Sequence, residues 1–310
     1  MSDFTAIGQL VTEARNLLDS IKGGAIRTMQ TAFEQMKVVM NDDFSNVLSE
    51  IQGRANAVLK PTNDTMKTGL SQIVYVDGVH GDNRNLGTEA NPLQSIEAAL
   101  GRALPCGMMR IYLKRGQRFE GPVSQYKAGI VSLIFDSYGG DEGSNPVVYP
   151  TKETWDHKGQ EQERVLACFV RSQSAQTVNI AFMNVDVETL QLTTSETPFN
   201  DYGAFFSRGG GQHEMFDFNV TFFKSTVTIF DTPLFGGYAG FIKLRLVKTE
   251  INKAEGSKIN QLYYSNTRQC PKIVDAQASR FIGFDTPTPE AVLGIQNNNS
   301  LVNLTGVVFE

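Results

Sequence analysis

Two hydrophobic periods divide this chain. Apolar residues recur at three- and four-residue spacing from residue 2 to 59, and from about residue 73 onward they alternate every second position. In the first part Phe4, Ile7, Val11, Ala14, Leu18 and Ile21 are spaced 3, 4, 3, 4 and 3 apart, a heptad seam. Gly23-Gly24 interrupts it and predicts a break or hinge, because each glycine in a helix interior costs about 1 kcal/mol. Beyond the pair, Phe33, Met36, Met40, Phe44, Val47, Ile51, Ala55 and Val58 follow an eleven-residue repeat. Eleven residues over three turns predict a nearly straight or slightly right-handed bundle. The helix from about Ile26 to Leu59 should run roughly 50 Å at about 1.5 Å per residue. One copy cannot satisfy a stripe so long and narrow, so self-association is expected. The alternative is a helical hairpin folded against the rest of the same chain. Pro61 and Asn63-Asp64 are expected to end the helix, leaving Thr62 to Gly69 as a polar connector.

The next stretch, Ile73 to Phe119, changes character several times. A short alternating strand (Ile73, Tyr75) runs into a loop of Asp77, Gly78, Gly81, Asp82, Asn83, Asn85 and Gly87, which must turn. Leu93, Ile96, Ala99 and Leu100 then fall on one helical face, with Ser95 as a cap and Pro105 as a stop. A second strand, Met109 to Leu113, ends at Lys114-Arg115-Gly116. Strand, glycine-rich turn, amphipathic helix, strand: this order suits the plugged end of a β-solenoid and its first coil.

From Leu113 onward an internal motif recurs: apolar-x-apolar-x-apolar, two spacer residues, then apolar-x-apolar. Its clearest copy is Val178, Ile180, Phe182, then Val185 and Val187. Others are Phe218, Val220, Phe222, then Ser225 and Val227, and Ile242, Leu244, Leu246, then Thr249 and Ile251. Weaker copies are Val131, Leu133, Phe135, then Tyr138, and Val302, Leu304, then Val307 and Phe309. Alternation buries one face of each strand, and the two spacers make a corner between strands. The markers Leu133, Ile180, Val220, Leu244 and Val302 stand 47, 40, 24 and 58 residues apart. Read against a coil of a little over twenty residues, 24 is one bare coil, 47 is two, and 40 and 58 are coils carrying loops. Polar insertions at Thr151–Glu163, Thr193–Asn200, Ser207–His213 and Glu255–Lys258 supply the extra length. About eight coils, at about 4.8 Å each, would make a body roughly 40 Å long. An ordinary β-sandwich, whose strands also alternate, is the competing architecture.

The opening module resembles that of the right-handed parallel β-helix, or pectate-lyase-like, proteins, in the form common in bacteriophage tail fibres and tailspikes. The resemblance rests on Val74-Tyr75-Val76-Asp77-Gly78, Gly81-Asp82-Asn83, Gly87, Asn91-Pro92, Ser95-Ile96, Ala98-Ala99-Leu100, Ile111-Tyr112-Leu113 and Gly116; beyond them it is architectural. It implies a homotrimeric virion protein that meets the host surface. The trimer is favoured by this resemblance, since seam residues so mixed do not fix strand number.

Composition narrows the remaining choices. With 28 basic against 33 acidic residues the net charge is −5, which gives a nucleic-acid role no electrostatic support. Cys106, Cys168 and Cys270 are far apart and odd in number, indicating neither a zinc site nor a disulfide framework. The amino terminus, with Asp3 and an amphipathic pattern, does not read as a secretory signal. No run approaches the ~20 apolar residues of a membrane-spanning helix. The 20 Phe and 28 Gly fit a turn-rich β body.

Candidate chemistry is sparse. Aligning the motif copies puts Asp186, Thr226 and Glu250 at one outward position. On adjacent coils Asp186 and Glu250 would stand about 9.6 Å apart, at the upper edge of the roughly 6.5–9.5 Å of an inverting glycosidase pair. Outward carboxylates on a solenoid are also ordinary solvated groups. His80, His157 and His213 lack metal-ligand spacing. Gly209-Gly210-Gly211 precedes no helix and reads as a loop rather than a phosphate cradle. Arg84 occupies a ligand position of the loop Asp82 to Gly87 and spoils it for calcium. Phe205-Phe206, Phe222-Phe223, Tyr263-Tyr264 and Trp155 suit core or trimer-interface packing better than sugar stacking.

The expectation is therefore a mainly β protein, a right-handed parallel β-helix preceded by an α-helical, trimeric coiled-coil segment. Residues 1–24 would be a virion-attachment helix, 25–60 a coiled-coil shaft, 61–72 a linker and 73–310 the β-helix body with a helical cap at its start. The expected role is a structural phage tail fibre or tailspike, assembled in the host cytoplasm and carried in the virion. Its helices would hold a tail or baseplate protein and its body would recognise a host glycan or other receptor. The strand at Phe309-Glu310, with no visible cap, invites a further fibre protein to dock. A polysaccharide hydrolase or lyase using Asp186 and Glu250 is one alternative, and an internal virion adaptor is another. No metal, cofactor, nucleic acid or membrane insertion is expected.

Overall fold

The computed structural model describes residues 2–67, 71–103, 107–122, 130–157, 159–167, 169–171, 178–193, 204–208, 216–236, 239–263, 270–295 and 300–310. By its contacts the chain divides into a helical unit, Met1–Pro61, and a β unit, Thr62–Glu310.

The helix α1 (Ser2–Lys67) is continuous over 66 residues, about 100 Å at about 1.5 Å each. The break expected at Gly23-Gly24 and the stop expected at Pro61 are both absent. Two glycines raise the helix's free energy by about 2 kcal/mol without removing a backbone hydrogen bond. Pro61 removes a single donor, which a helix can absorb with a local distortion. Between residues 5 and 54 every described side chain is exposed, the apolar seam included: Leu18 is 53 %, Phe33 60 % and Phe44 67 % exposed. The continuous helix leaves no turn for a helical hairpin within this unit.

The β unit opens with β1 (Ser71–Val76) and the short α2 (Ile96–Gly101). Ser95 caps α2, its hydroxyl accepting from the Ala98 N–H, and Ile96, Ala99 and Leu100 are buried. The loop between them pairs with the outer edge of β1: the Tyr75 N–H donates to Gly87 O at 2.8 Å and the Leu93 N–H to Tyr75 O at 2.9 Å. Gly81 must be glycine there, since a Cβ would stand 2.1 Å from the Leu93 carbonyl oxygen. The buried Asp77 carboxylate accepts from the Val79 and His80 N–H groups and from Gln117 Nε2, fastening the loop to the next corner. Strand, turn, short capped helix and strand thus follow in the order that the sequence predicts.

The chain continues through β2 (Gly107–Lys114), β3 (Arg118–Glu120), β4 (Ile130–Tyr138) and β5 (Val147–Tyr149). A hairpin follows, β6 (Thr151–His157) with β7 (Gln160–Ala167), antiparallel to each other. Next come β8 (Phe169–Arg171), β9 (Val178–Met183), β10 (Asp186–Glu188), β11 (Phe206–Arg208), β12 (Phe216–Phe223) and β13 (Thr226–Ile229). The last elements are β14 (Ala239–Val247), β15 (Glu250–Lys253), β16 (Lys272–Gln277), β17 (Arg280–Ile282), α3 (Pro289–Leu293), β18 (Ser300–Thr305) and β19 (Val308–Phe309).

These strands form two parallel sheets. The first has eight strands in the order β1-β2-β4-β9-β12-β14-β16-β18, and the second has seven, in the order β3-β5-β10-β13-β15-β17-β19. From β2 onward the chain alternates between the sheets, and every pairing in both is parallel. The antiparallel sandwich is therefore excluded. A third, shorter parallel ladder joins β8 to β11 and passes through single bridges from Phe206 to Phe235 and Phe235 to Tyr263.

Register bears out the motif. Leu133, Ile180, Val220, Leu244, Val274 and Val302 are successive partners in one column. Val274, in β16, is a strand the motif search passed over, so the interval of 58 residues holds two steps. The interval of 47 holds one step, not two, because β4 pairs directly with β9 and the intervening length is the hairpin β6–β7 with β8. The two-residue spacer is a corner whose second residue is left-handed: Asn184, Lys224, Lys248 and Ala278 have φ of 54°, 50°, 52° and 49°. The residue after the spacer points inward. There Ser225, Thr249 and Ser279 are buried, and each hydroxyl donates to a backbone carbonyl.

The core is stacked rather than layered. Phe135, Phe182 and Phe222 stack at 5.0 and 5.3 Å, and Phe206, Phe235 and Tyr263 at 5.1 and 5.2 Å. Lys272 takes an inward position beside Ile242, 1 % exposed. Its ammonium donates to Cys270 O at 3.0 Å and lies 5.1 Å from the Tyr263 ring centroid.

Candidate functional site

The outward positions of the second sheet carry most of the charged chemistry. Strand alternation turns Phe119, Val148, Val187, Val227, Ile251 and Phe281 inward, so their neighbours must face out. Register then sets Arg118, Val147, Asp186, Thr226, Glu250 and Arg280 in one outward row. Asp186 and Glu250 thus share a row two strands apart, about 9.6 Å at about 4.8 Å per strand. Thr226 stands between them.

The two carboxylates differ in setting. Asp186 Oδ1 accepts from Asn145 Nδ2 at 3.0 Å and from the Thr226 N–H at 2.7 Å. Burial raises its pKa, the nearby charges of Glu188 and Glu250 raise it further, and those two hydrogen bonds oppose them without prevailing. Among the described residues it has no cationic partner. Glu250 is more open, with its side chain 45 % exposed, and it accepts from Arg280 Nη1 at 3.2 Å. Arg280 also donates to Glu310 at 2.7 Å. Towards the other end Arg118 donates twice to Glu188, at 2.9 and 2.6 Å, and lies 5.1 Å from the Tyr149 ring centroid. Ion pairs close both ends of the row, and the stretch of Asp186, Thr226 and Thr228 between them is free of ion pairs among the described residues. A carboxyl with a raised pKa in register with a more exposed one is a pairing acid–base chemistry can use.

Comparison with known proteins adds little here. No protein-family model and no curated protein matches the sequence. Among solved structures, a GH136 lacto-N-biosidase from Eubacterium ramulus aligns over 76 % of this chain and 42 % of its own, at 16 % identity and a TM-score of 0.32. The chain thus spans less than half the length of that protein.

The remaining sequence candidates fall elsewhere. His80 is exposed in the opening loop and His157 ends β6, while His213, Gly209-Gly210-Gly211 and Tyr264 lie outside the described residues. Asp82 accepts from the backbone and guanidinium of Arg84, which holds its carboxyl near 2 and occupies it as an ion pair. No cluster of metal-ligating side chains occurs among the described residues. Phe205, Phe206, Phe222 and Tyr263 are core, and Phe223 faces out.

Sequence reasoning passed over the partners of Asp186 and Glu250. Asn145 lies in a corner, and Arg280 belongs to the coil whose motif copy went unrecognised. It also passed over a tyrosine group on the first sheet's outer face. Tyr75 stacks on Tyr112 at 5.0 Å and meets the edge of Tyr138 at 5.0 Å. Burial, then the charges of Asp77 and Glu89, push the Tyr138 phenol up to about 12. Tyrosines at the outward positions of strands already assigned were the available signal.

Proposed function

We propose that this chain is a structural, homotrimeric fibre protein of a phage tail, which attaches the virion to a bacterial surface. In this reading the two parallel sheets and the short third ladder are the faces of a right-handed parallel β-helix, and α1 is one strand of a coiled coil. The observation that carries it is the exposed apolar seam of α1. A single copy leaves Ile7, Val11, Leu18, Phe33, Phe44 and Ile51 in water over most of the helix, while the β unit completes its own core. Apolar stripes of this length are buried by other helices, and copies of the same helix fit them best. Three joined bodies would then bind a repetitive surface by avidity. The helices would be held by a tail or baseplate protein, and the body would meet a host glycan.

Light scattering on the purified chain tests the first step. The expected mass is about 103 kDa, three times the 34.2 kDa chain; a monomer at micromolar concentration overturns the proposal. Binding to purified capsular polysaccharide or lipopolysaccharide tests the second.

A second reading, cleavage of the bound polysaccharide, is favoured by one observation: Asp186, with its raised pKa, lies in register with Glu250. Asp186 would be the proton donor and Glu250 the base. Oligosaccharide release by the parent chain, lost in Asp186→Asn, would support it; equal release by both removes the pair from the chemistry.

A further inference from the structure

On the first sheet's outer face one run of apolar side chains spans three neighbouring strands, while Ile73, Met108 and Leu301 stand exposed elsewhere on it. Met183, Phe223 and Val247 are lateral partners on β9, β12 and β14, all half-buried and pointing outward, with Ala181 beside them. Asp136 and Gln277 bound this run along the column. Lys224 and Lys248 edge it at the corner and Lys243 and Arg245 lie alongside, all four exposed, against Asp217 and Asp275. The neighbouring outer face, across that corner, has the opposite balance. It carries Glu120, Asp186, Glu188, Glu250 and Glu310 against Arg118 and Arg280.

We propose that the apolar, cationic half of the first sheet on one copy packs on the acidic outer face of the second sheet on the next copy. This rests on the self-association argued above and names the surfaces the bodies use. An apolar run continuous over three strands and edged by cations fits a protein contact, and charge complementarity selects a second copy of this chain as the occupant. Two different faces in contact make a heterologous interface, which repeats around a closed ring instead of ending at a pair. Faces that adjoin at one corner suit that geometry, because each copy then presents both to the ring's centre.

The test uses the full chain carrying Arg245→Cys on one face and Thr228→Cys on the other, treated with a short bismaleimide. Each single variant and the parent chain, which keeps Cys106, Cys168 and Cys270, give the background. The double variant should yield a covalent ladder ending at the mass found by light scattering, and Phe223→Asp added to it should remove the ladder. Should Phe223→Asp fail to fold by circular dichroism, Lys248→Glu at an exposed corner takes its place with the same expectation. An oligomer without ladder, or dimers from either single variant alone, overturns this interface and leaves the self-association standing. A monomer by light scattering overturns both.

Discussion

Stacking makes Phe182 the most demanding position in the β unit. The ring is fully buried, held between Phe135 at 5.0 Å and Phe222 at 5.3 Å, with Phe205 and Phe206 against it at 6.1 and 6.3 Å. Truncation to alanine loses the transfer free energy and leaves a cavity, together about 3–5 kcal/mol for a buried phenylalanine. Partners on both sides cannot close over the gap without giving up their own register, so Phe182→Ala should fall at the upper end, about 5 kcal/mol. Phe309 stacks on Phe281 alone, at 4.6 Å, and is half-buried. One stacked pair and about half the transfer term put Phe309→Ala at about 1–2 kcal/mol. Guanidinium unfolding of the full chain, followed by near-UV circular dichroism, measures both. With only about 5–15 kcal/mol in a typical domain, the first variant should shift the midpoint by a large fraction and the second slightly. Equal losses, or a loss under about 2 kcal/mol for Phe182→Ala, would refute a core held together by contacts between successive strands.

Ala278→Gly should stabilise the β unit by about 0.5–1 kcal/mol in thermal unfolding, relieving an L-residue at φ 49°. Gly306→Ala, at the corresponding corner with φ 64° and no close contact for a Cβ, should cost a similar amount. Gly23→Ala and Gly24→Ala should each raise helix stability by about 1 kcal/mol, read from the thermal midpoint at 222 nm, since an added Cβ meets nothing there. Glu163 binds Lys152 and both the hydroxyl and N–H of Thr193, and these outweigh the opposing burial to hold its carboxyl near 2. The stability it supplies is therefore complete above the ordinary value of 4.5 and lost as pH falls towards 2. Hydrogen-exchange protection of β6 and β7 should follow that window in the parent and be flat in Glu163→Gln. Asp186 has the opposite sign: its raised pKa makes ionisation destabilising, so stability falls as pH rises through the folded value. Asp186→Asn should therefore unfold at higher denaturant than the parent at pH 7, and lose that advantage below the ordinary value of 3.8.

The alternation and the corner were legible because each is a steric requirement on consecutive residues. Ile180, Val220 and Leu244 had to be apolar to face a common core, and two residues had to separate Phe182, Phe222 and Leu246 from the next inward position. The coil at Val274 was hidden because Lys272 occupies an inward position and Ala276 is small. A lysine is tolerated there because the Cys270 carbonyl two residues away and the face of Tyr263 receive its ammonium, and the position of that ring follows from the fold, not from the local sequence. The hairpin β6–β7 was misread as coil length because an insertion and a further turn consume residues alike, and only pairing tells them apart. Glycine marks the last corner of this column, Gly306, and fails as a signal at the four before it. Asn184, Lys224, Lys248 and Ala278 all take the left-handed conformation that a sequence reader assigns to glycine. Stacked identical corners, each N–H bonded to the carbonyl of the following coil, outweigh the local strain.

The same distinction governs the site and the helix. A row on a parallel sheet follows from register, so the alignment of Asp186 with Glu250 could be read from motif copies alone. The different settings of the two carboxylates could not, because Asn145, Arg280 and the Arg118–Glu188 pair arrive from neighbouring corners and strands. For α1 the logic reverses. Its seam is legible to the end, yet nothing described within the chain covers it, whereas the β unit brings Phe135, Phe182, Phe222, Phe235 and Phe281 fully inside. On the proposed reading, a chain that completes one core and leaves the apolar residues of α1 between 5 and 54 in water has two assembly steps. The first is encoded between its own strands. The second would be encoded between copies, and the apolar run at Phe223 with its cationic edge is where the β unit would take part in it.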